Sequence, residues 1–285
     1  MSDKSPSLPA PFFALPGHRV LAMEGRDAAV FAQAQFTNDV EGLADGHWQW
    51  SAWLTPKGRI VALFALLRLD AERLWLVLPD ADPAALAAQL QRFVFRTKVT
   101  LRPLEEVHAA ASFTPPEQAA GAVIAGDTES GLELDLGTPA GARTLRLGTA
   151  VAAPDAEAAA RWTAFDLAHG WPRLDPEQVE KWTPQQLSLL RLRAYSVKKG
   201  CYPGQEIVAR THFLGQAKRG LVRLQGAASA ASGDAVMSGE REIGRVVCSA
   251  GGEALAVLPL ELDDAELAVG DSPCQLAALE DGLAR

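Results

Sequence analysis

The residues with the clearest capacity for chemistry lie together in one short block of the chain. The block reads Lys199-Gly200-Cys201-Tyr202-Pro203-Gly204-Gln205-Glu206. Cysteine supplies a nucleophile, glycine allows a positive φ and the close approach of a ligand, and proline fixes φ. A surface loop that needs only to be soluble has no reason to combine these residue types so densely. We therefore interpret the block as a candidate functional site.

Cys201 is the candidate catalytic residue of this block. A thiol reacts as the thiolate, which nearby cations and a helix N-terminus favour. Lys198 and Lys199 precede Cys201, and a helix beginning at Gly204 would bring its positive end close to the thiol. This interpretation predicts a solvent-exposed side chain. The alternative is a small, buried, structural cysteine. A Cys201–His212 hydrolase dyad is disfavoured, because the sequence shows no partner that would orient the histidine.

The residues around Cys201 suit a flat ligand that carries carboxylates. Tyr202 could form a wall for a planar ring, and the Glu206 carboxylate could accept two hydrogen bonds side by side. Alternatively, Tyr202 packs in the core and Glu206 stabilises the start of the following helix. Basic and amide side chains nearby suit carboxylates, and no metal ligand is predicted. The predicted ligand-contact residues are Lys199, Gly200, Tyr202, Gly204, Gln205, Glu206, Arg210, Lys57 and Arg59.

Composition limits the classes of protein and of partner. The 285 residues carry a formal net charge of -8, which argues against direct nucleic-acid binding through bulk electrostatics. The cysteines Cys201, Cys248 and Cys274 are widely spaced, so they form neither a disulfide framework nor the ligand set of a resident iron–sulfur cluster. A reducing, cytoplasmic location fits best. The polar, Pro-rich start and the lack of a long apolar run predict neither a signal peptide nor a membrane span.

The elements that must position the block alternate between strands and helices. Residues 27–36 read as a short helix, and 59–69 and 73–78 read as a buried hairpin. Asp82-Pro83 predicts the N-cap and first position of a second helix, and Thr183-Pro184 resembles another such pair. Short strands are expected at 122–124, 132–136 and 144–147, followed by a helix over 155–169 that Gly170 ends. The fold class is therefore α+β.

From Gly220 onward the sequence changes to short strands with Gly-rich turns, at 221–224, 243–248 and 254–258. This pattern predicts a small C-terminal β-barrel. We place the division at residue 214. Residues 1–213 then form the α+β region, and residues 214–285 form the barrel domain.

The block also resembles the K-G-C-Y-x-G-Q-E signature of the YgfZ family, whose members are related to the glycine-cleavage T-protein. Weaker landmarks of the family follow in order along the chain. They are Gln35-Phe36-Thr37-Asn38-Asp39-Val40, Pro56-Lys57-Gly58-Arg59, Arg96-Thr97-Lys98-Val99, Pro184-Gln185 and Lys218-Arg219-Gly220-Leu221.

The resemblance implies a T-protein-like fold of two α+β units and a terminal barrel around a channel that binds tetrahydrofolate or a related reduced folate. It further implies a role in the assembly or repair of iron–sulfur clusters in client enzymes, including a tRNA-modifying methylthiotransferase. Cys201 matches the cysteine on which that activity depends. The expected partners are therefore folate and iron–sulfur enzymes, with no membrane.

One departure bears on the chemistry. T-proteins carry an Asp-Asp pair in a G-G-x-x-D-D pattern, whereas this chain reads Gly58-Arg59-Ile60-Val61-Ala62-Leu63. Without that carboxylate pair, aminomethyl transfer to folate is disfavoured. The alternatives that stay open are a folate-dependent one-carbon transferase and a non-catalytic, folate-sensing adaptor with a structural cysteine.

Overall fold

The computed structural model describes residues 7–215, 217–262 and 266–285, so the first six residues of the polar, Pro-rich start lie outside it. The helices of the described part are α1 (Ala28–Gln35), α2 (Pro83–Gln91), α3 (Ala156–Ala168) and α4 (Gln205–Phe213). Its strands are β1 (Phe13–Ala14), β2 (Arg19–Glu24), β3 (His47–Leu54), β4 (Ile60–Arg68), β5 (Arg73–Leu78), β6 (Thr100–Pro103), β7 (His108–Ser112), β8 (Ala125–Asp127), β9 (Gly131–Asp135), β10 (Thr144–Gly148), β11 (Arg219–Gln225), β12 (Ala235–Ser238), β13 (Arg241–Ala250), β14 (Glu253–Pro259), β15 (Leu267–Val269) and β16 (Ser272–Ala277).

Two antiparallel sheets and a barrel organise these strands. The first sheet has the order β3-β4-β5-β2-β6, and the second has the order β1-β7-β10-β9-β8. The last six strands close into a barrel in the order β11-β14-β13-β12-β15-β16. The predicted α+β class with a small C-terminal barrel is confirmed. The boundary at residue 214 stays a prediction.

The first sheet is apolar on both faces because both faces are covered. Alternate residues such as Trp48 and Trp50 point into a central core shared with the second sheet, α3 and the outside of the barrel. The intervening residues, such as Phe64 and Leu66, pack against α1 and α2. The predicted hairpin is therefore β4–β5, buried on two faces and not on one alone.

Helix boundaries follow the predicted capping residues. Asp82 caps α2 by accepting a hydrogen bond from the backbone of Ala85, with Pro83 in the first turn. Asp155 caps α3 in the same way by accepting from Ala158, and Gly170, with φ of 72°, follows its end. The predicted N-cap Asp82 and the predicted end of α3 at Gly170 are confirmed, whereas Asp155, predicted to lie in the helix, is its N-cap.

Two predicted elements differ in the structure. Residues 184–193 form consecutive turns in place of a helix, because Ser188 takes a φ of 51° while its hydroxyl accepts a hydrogen bond from the backbone of Leu221. Residues 122–124 form only isolated bridges. There the chain turns at Gly121, with φ of 55°, and the Val123 amide bonds back to the Ala120 carbonyl.

Two tight turns from distant parts of the chain meet beside the candidate site. Gly58 and Gly204 have φ values of 69° and 79°, in the left-handed region that favours glycine. A Cβ at Gly204 would lie 2.7 Å from both the Gly58 Cα and the Thr55 carbonyl oxygen. The turn at residues 55–59 and the start of α4 therefore fit together only because both carry glycine at the contact.

We predict that Gly204→Ala destabilises the protein by about 2–4 kcal/mol, because it combines left-handed strain with a backbone clash. Gly200→Ala is the matched control. It lies four positions earlier, and a Cβ there meets no atom within 4 Å. The measurement is urea unfolding of both variants and the wild type. Equal stability of the two variants would show that the two turns do not depend on each other.

Candidate functional site

Cys201 lies in an exposed loop between the turns at 184–193 and the start of α4. The predicted helix after Gly204 is confirmed as α4, which begins at Gln205. The thiol therefore stands just before a helix N-terminus, where the backbone N–H groups carry partial positive charge. The side chains of Lys199 and Tyr202, on either side of Cys201, are buried and fix the loop. The side chain of Cys201, in contrast, is exposed.

Lys199 anchors the loop from its N-terminal side. Its side chain is 7% exposed, and its ammonium donates hydrogen bonds to the carbonyl oxygens of Gln33 and Phe36. These carbonyls belong to the last turn of α1, whose free acceptors attract cations. Burial lowers the pKa of the Lys199 ammonium to about 8, although the charges of Asp39 and Glu41 act to raise it. The lysine thus caps a helix from inside the protein.

Tyr202 anchors the loop from the other side. It is 6% exposed, and the Lys199 ammonium lies 4.9 Å from the centre of its ring, within cation–π range. Burial, with a further contribution from Tyr195, raises the pKa of the Tyr202 hydroxyl, which stays neutral. Gln205 adds a third constraint, since its Nε2 donates to the Lys199 carbonyl oxygen over 3.2 Å.

The segment that leads into the loop is held by the turn after α1. Thr37 Oγ1 donates to the Ala194 carbonyl oxygen over 2.8 Å, and the Ser196 amide donates to the Thr37 carbonyl oxygen over 2.9 Å. Asn38 Nδ2 donates to the carbonyl oxygens of Arg193 and Trp50, over 2.6 and 2.9 Å. The sequence marked this turn only as a landmark of the family resemblance, and its contacts with the loop were not predicted.

The other predicted ligand-contact residues lie at different places around this loop. Gly200, Glu206 and Arg210 are exposed, whereas Gly204 is buried against Gly58. Lys57 is exposed at the tip of the turn at 55–59. Arg59 points elsewhere, donating to the Lys181 carbonyl oxygen over 2.7 Å and to Gln186 Oε1 over 3.3 Å. The ligand roles of all nine predicted residues stay predictions.

The three cysteines differ in their surroundings. Cys201 is exposed, whereas Cys248 and Cys274 are buried in the barrel. Burial raises the pKa of Cys248 to about 12 and also raises the pKa of Cys274. Only Cys201 therefore combines access to solvent with a place near a helix N-terminus. Among the described residues, no cluster of three or more His, Cys, Asp or Glu side chains could hold a metal ion.

A second candidate site is a narrow, aromatic cavity in the central core between the two sheets, with a volume of about 20 Å³, which is room for about one water molecule. Three tryptophans line it, with the Trp50 and Trp171 rings 4.0 Å apart between centroids. The lining residues are His18, Trp50, Ala65, Val77, Pro79, Leu134, Leu136, Leu145, Trp162, Asp166 and Trp171. None of them belongs to the loop at 198–206. A wider open pocket of about 340 Å³, beside α2 and β4, shares no residue with this cavity.

Charged groups surround the aromatic cavity. Asp166, on α3, accepts a hydrogen bond from Arg143 over 2.8 Å, and both side chains are buried. Arg143 Nη2 has no hydrogen-bond partner among the described residues, so one buried donor is left free. Burial, reinforced by Arg173 and Arg143, lowers the pKa of His18 well below its usual value. The imidazole is therefore neutral and offers one donor and one acceptor.

Sequence reasoning did not identify this cavity. No local pattern connects Trp162 of α3 with His18 or Trp50, which belong to other segments of the chain. The available signal was the density of tryptophan in β3, which is equally typical of a core.

Comparison with known proteins shows which fold this protein has and which family its barrel resembles. A crystal structure of glycine cleavage system aminomethyltransferase T from Bartonella henselae matches with a TM-score of 0.70 over 92% of this chain and 83% of that one. At 17% identity the match shows the fold, which is that of a T-protein. Residues 218–280 match the family model described as the CAF17 C-terminal beta-barrel domain.

Relatives by sequence narrow the class further. The tRNA-modifying protein YgfZ of Klebsiella pneumoniae is 28% identical over 247 residues, which cover 80% of this chain and 75% of that protein. YgfZ of Vibrio vulnificus is 28% identical over 238 residues, covering 79% and 73%. The T-protein fold, the barrel family model and these relatives together support the YgfZ family. The resemblance carried by the cysteine block is thereby confirmed. None of the described helices has the length and apolar character of a membrane span.

The buried ammonium of Lys199 predicts how the stability of the folded protein depends on pH. Folding lowers its pKa from 10.5 to about 8, so the unfolded chain binds this proton more tightly than the folded chain does. The stability of the wild type relative to Lys199→Met should therefore rise with pH between these two values. Subtracting the variant cancels the titrations common to both proteins. Chemical unfolding at a series of pH values measures the difference, and a flat or falling difference would contradict the assignment.

Proposed function

We propose that this protein binds a reduced folate at the aromatic cavity, whose walls must move apart to admit the ring, and supports iron–sulfur cluster enzymes, including tRNA-modifying enzymes, through the thiol of Cys201. The observation that carries the proposal is the contrast within the loop. Cys201 is exposed, while Lys199 and Tyr202 beside it are each less than 10% exposed. A structural cysteine would be expected to pack in the core, as Cys248 does. Here the core contacts hold the loop and leave the thiol free.

The aromatic cavity supports folate binding by its chemistry. A pterin is a flat heterocycle with hydrogen-bond donors and acceptors at its edge, and tryptophan rings suit its faces. The carboxylate of Asp166 and the neutral imidazole of His18 are the polar side chains that line the cavity and are available to that edge. When bound, folate would supply one-carbon chemistry. These residues would hold and orient its ring and exclude water from it.

Aminomethyl transfer finds no support in the geometry. The positions that correspond to the missing Asp-Asp pair are Ala62 and Leu63, which are 2% and 3% exposed and pack in two apolar clusters. A carboxylate in either place would be buried among apolar side chains. The residues that replace the pair are thus part of the core packing of β4. The absence of the Asp-Asp pair favours a role in iron–sulfur cluster maintenance over aminomethyl transfer.

The folate proposal predicts that reduced folates quench tryptophan fluorescence and bind with micromolar affinity. Trp162→Phe should weaken binding about three- to tenfold, since it removes part of the aromatic wall. Trp182→Phe is the matched control, because Trp182 does not line the cavity and bonds to Gln178 instead. Titration calorimetry measures both variants. An absence of heat and of quenching with several reduced folates would exclude folate binding.

The thiol proposal predicts that Cys201→Ser folds normally but fails to restore an iron–sulfur tRNA-modifying enzyme in a strain lacking its own family member. The modified nucleoside, measured by mass spectrometry, is the readout. The control variant Cys248→Ala/Cys274→Ala should restore the modification. In the native protein, iodoacetamide should label Cys201 and spare the two buried thiols. If Cys201→Ser restores the tRNA modification fully, the role of Cys201 is structural only.

A further inference from the structure

We propose that the outer face of α4 is the surface on which an acidic protein docks, and that this protein is the iron–sulfur enzyme served by Cys201. The α4 surface consists of Arg210, Phe213 and Leu214, and the exposed lysines Lys198 and Lys218 lie before and after α4 in the chain. The inference rests on the proposed function of Cys201, but it concerns a part of the molecule that the thiol chemistry itself does not use. The inference is argued from the exposure of the apolar side chains, from the charge around them and from the position of α4 relative to Cys201.

The α4 surface presents apolar side chains to solvent. Phe213 and Leu214 are 65% and 86% exposed, and Val208 is the one residue of α4 that is fully buried. The spacing of Arg210, Phe213 and Leu214 places them on one side of the helix end. The His212 ring meets the Phe213 ring edge to face at 4.8 Å, which restricts the phenyl group while leaving it exposed. Two adjacent large apolar side chains without cover are typical of an interaction site.

The charge around these apolar residues is positive. Lys198, Arg210 and Lys218 are exposed, and none of them forms an ion pair within the described ranges. Glu206 is the single carboxylate on α4. The whole chain has a net charge of -8, so the unpaired basic side chains in and beside α4 give this region a charge opposite in sign to that of the protein as a whole. Apolar residues surrounded by unpaired cations are complementary to an apolar patch within an acidic surface.

The position of the α4 surface links it to the thiol. Cys201 lies four residues before α4, and Phe213 is roughly 12 Å along the helix axis from Gln205. A standard interface buries about 800 Å² on each partner, enough to include both ends of such a helix. A protein held on Phe213 and Leu214 would therefore place part of its surface over Cys201. A client enzyme must approach the thiol in this way.

A protein fits this surface better than the other candidate partners do. RNA binding rests on many phosphate contacts and on aromatic stacking, whereas this surface offers few cations and an aliphatic leucine beside its one phenyl ring. A second copy of this acidic chain would meet the charge requirement, so self-association is an outcome that the experiment must separate.

The test measures binding to the purified iron–sulfur enzyme of the complementation assay by biolayer interferometry. Phe213→Ser/Leu214→Ser and Arg210→Glu should each weaken binding about tenfold, and binding of the wild type should fall as salt rises. Leu276→Ser and Arg161→Glu are the matched controls. Leu276 is 51% exposed on β16, and Arg161 is exposed on α3 without an ion pair. Both controls should bind like the wild type.

The outcomes distinguish this inference from the proposed function. Iodoacetamide labelling of Cys201 and folate binding should be unchanged in Phe213→Ser/Leu214→Ser. If Cys201 is required in the complementation assay but the α4 variants bind and complement like the wild type, the docking surface is wrong and the thiol function stands. Tight salt-dependent binding of RNA by this surface, or a dimer that the α4 variants abolish, would also overturn it. If Cys201→Ser complements fully, the proposed function itself fails.

Discussion

The arrangement of the candidate site depends on one interaction, between the buried ammonium of Lys199 and the last carbonyls of α1. The end of a helix leaves carbonyl oxygens without partners inside the helix, and a cation is the group they favour most. Burying a lysine to meet them is costly, as the lowered pKa of Lys199 shows. In return, a loop of glycine and cysteine with few other contacts is fixed to the body of the protein. Cys201 is presented to solvent because its neighbour is buried.

This anchor works together with contacts from segments that are remote in sequence. The turn after α1 holds residues 193–196 through Thr37 and Asn38, and the turn at 55–59 fits against Gly204. Each contact relies on a property of the residue type: a hydroxyl, a carboxamide with two donors, or a glycine that can take a positive φ. The turn after α1, the turn at 55–59 and the cysteine block are therefore parts of one packed unit, although more than 160 positions separate Thr37 from Gly204 in the chain.

Local sequence patterns predicted the elements whose signals lie within the element. Asp82-Pro83 and Gly170 marked helix ends, and the apolar runs of β4 and β5 marked a hairpin. Prediction failed where a distant contact decides the backbone. Ser188 leaves the helical region because its hydroxyl meets the backbone of Leu221 in the barrel. The exposure of Cys201 follows from the cysteine block, but the burial of Lys199 could not be predicted, because its partners belong to a helix in another part of the chain.

The central cavity and the surface loop are connected through one strand. Trp50 contributes its ring to the cavity wall, where it stacks with Trp171, while its carbonyl oxygen accepts the hydrogen bond from Asn38. The same Asn38 amide nitrogen also holds the carbonyl of Arg193, at the entry to the loop. Protein interiors are close-packed and transmit small displacements, so the side of β3 that faces the cavity cannot move without a change at this amide. The proposed ligand site inside the protein and the proposed thiol site at its surface therefore share a structural element, even though none of the cavity residues belongs to the loop.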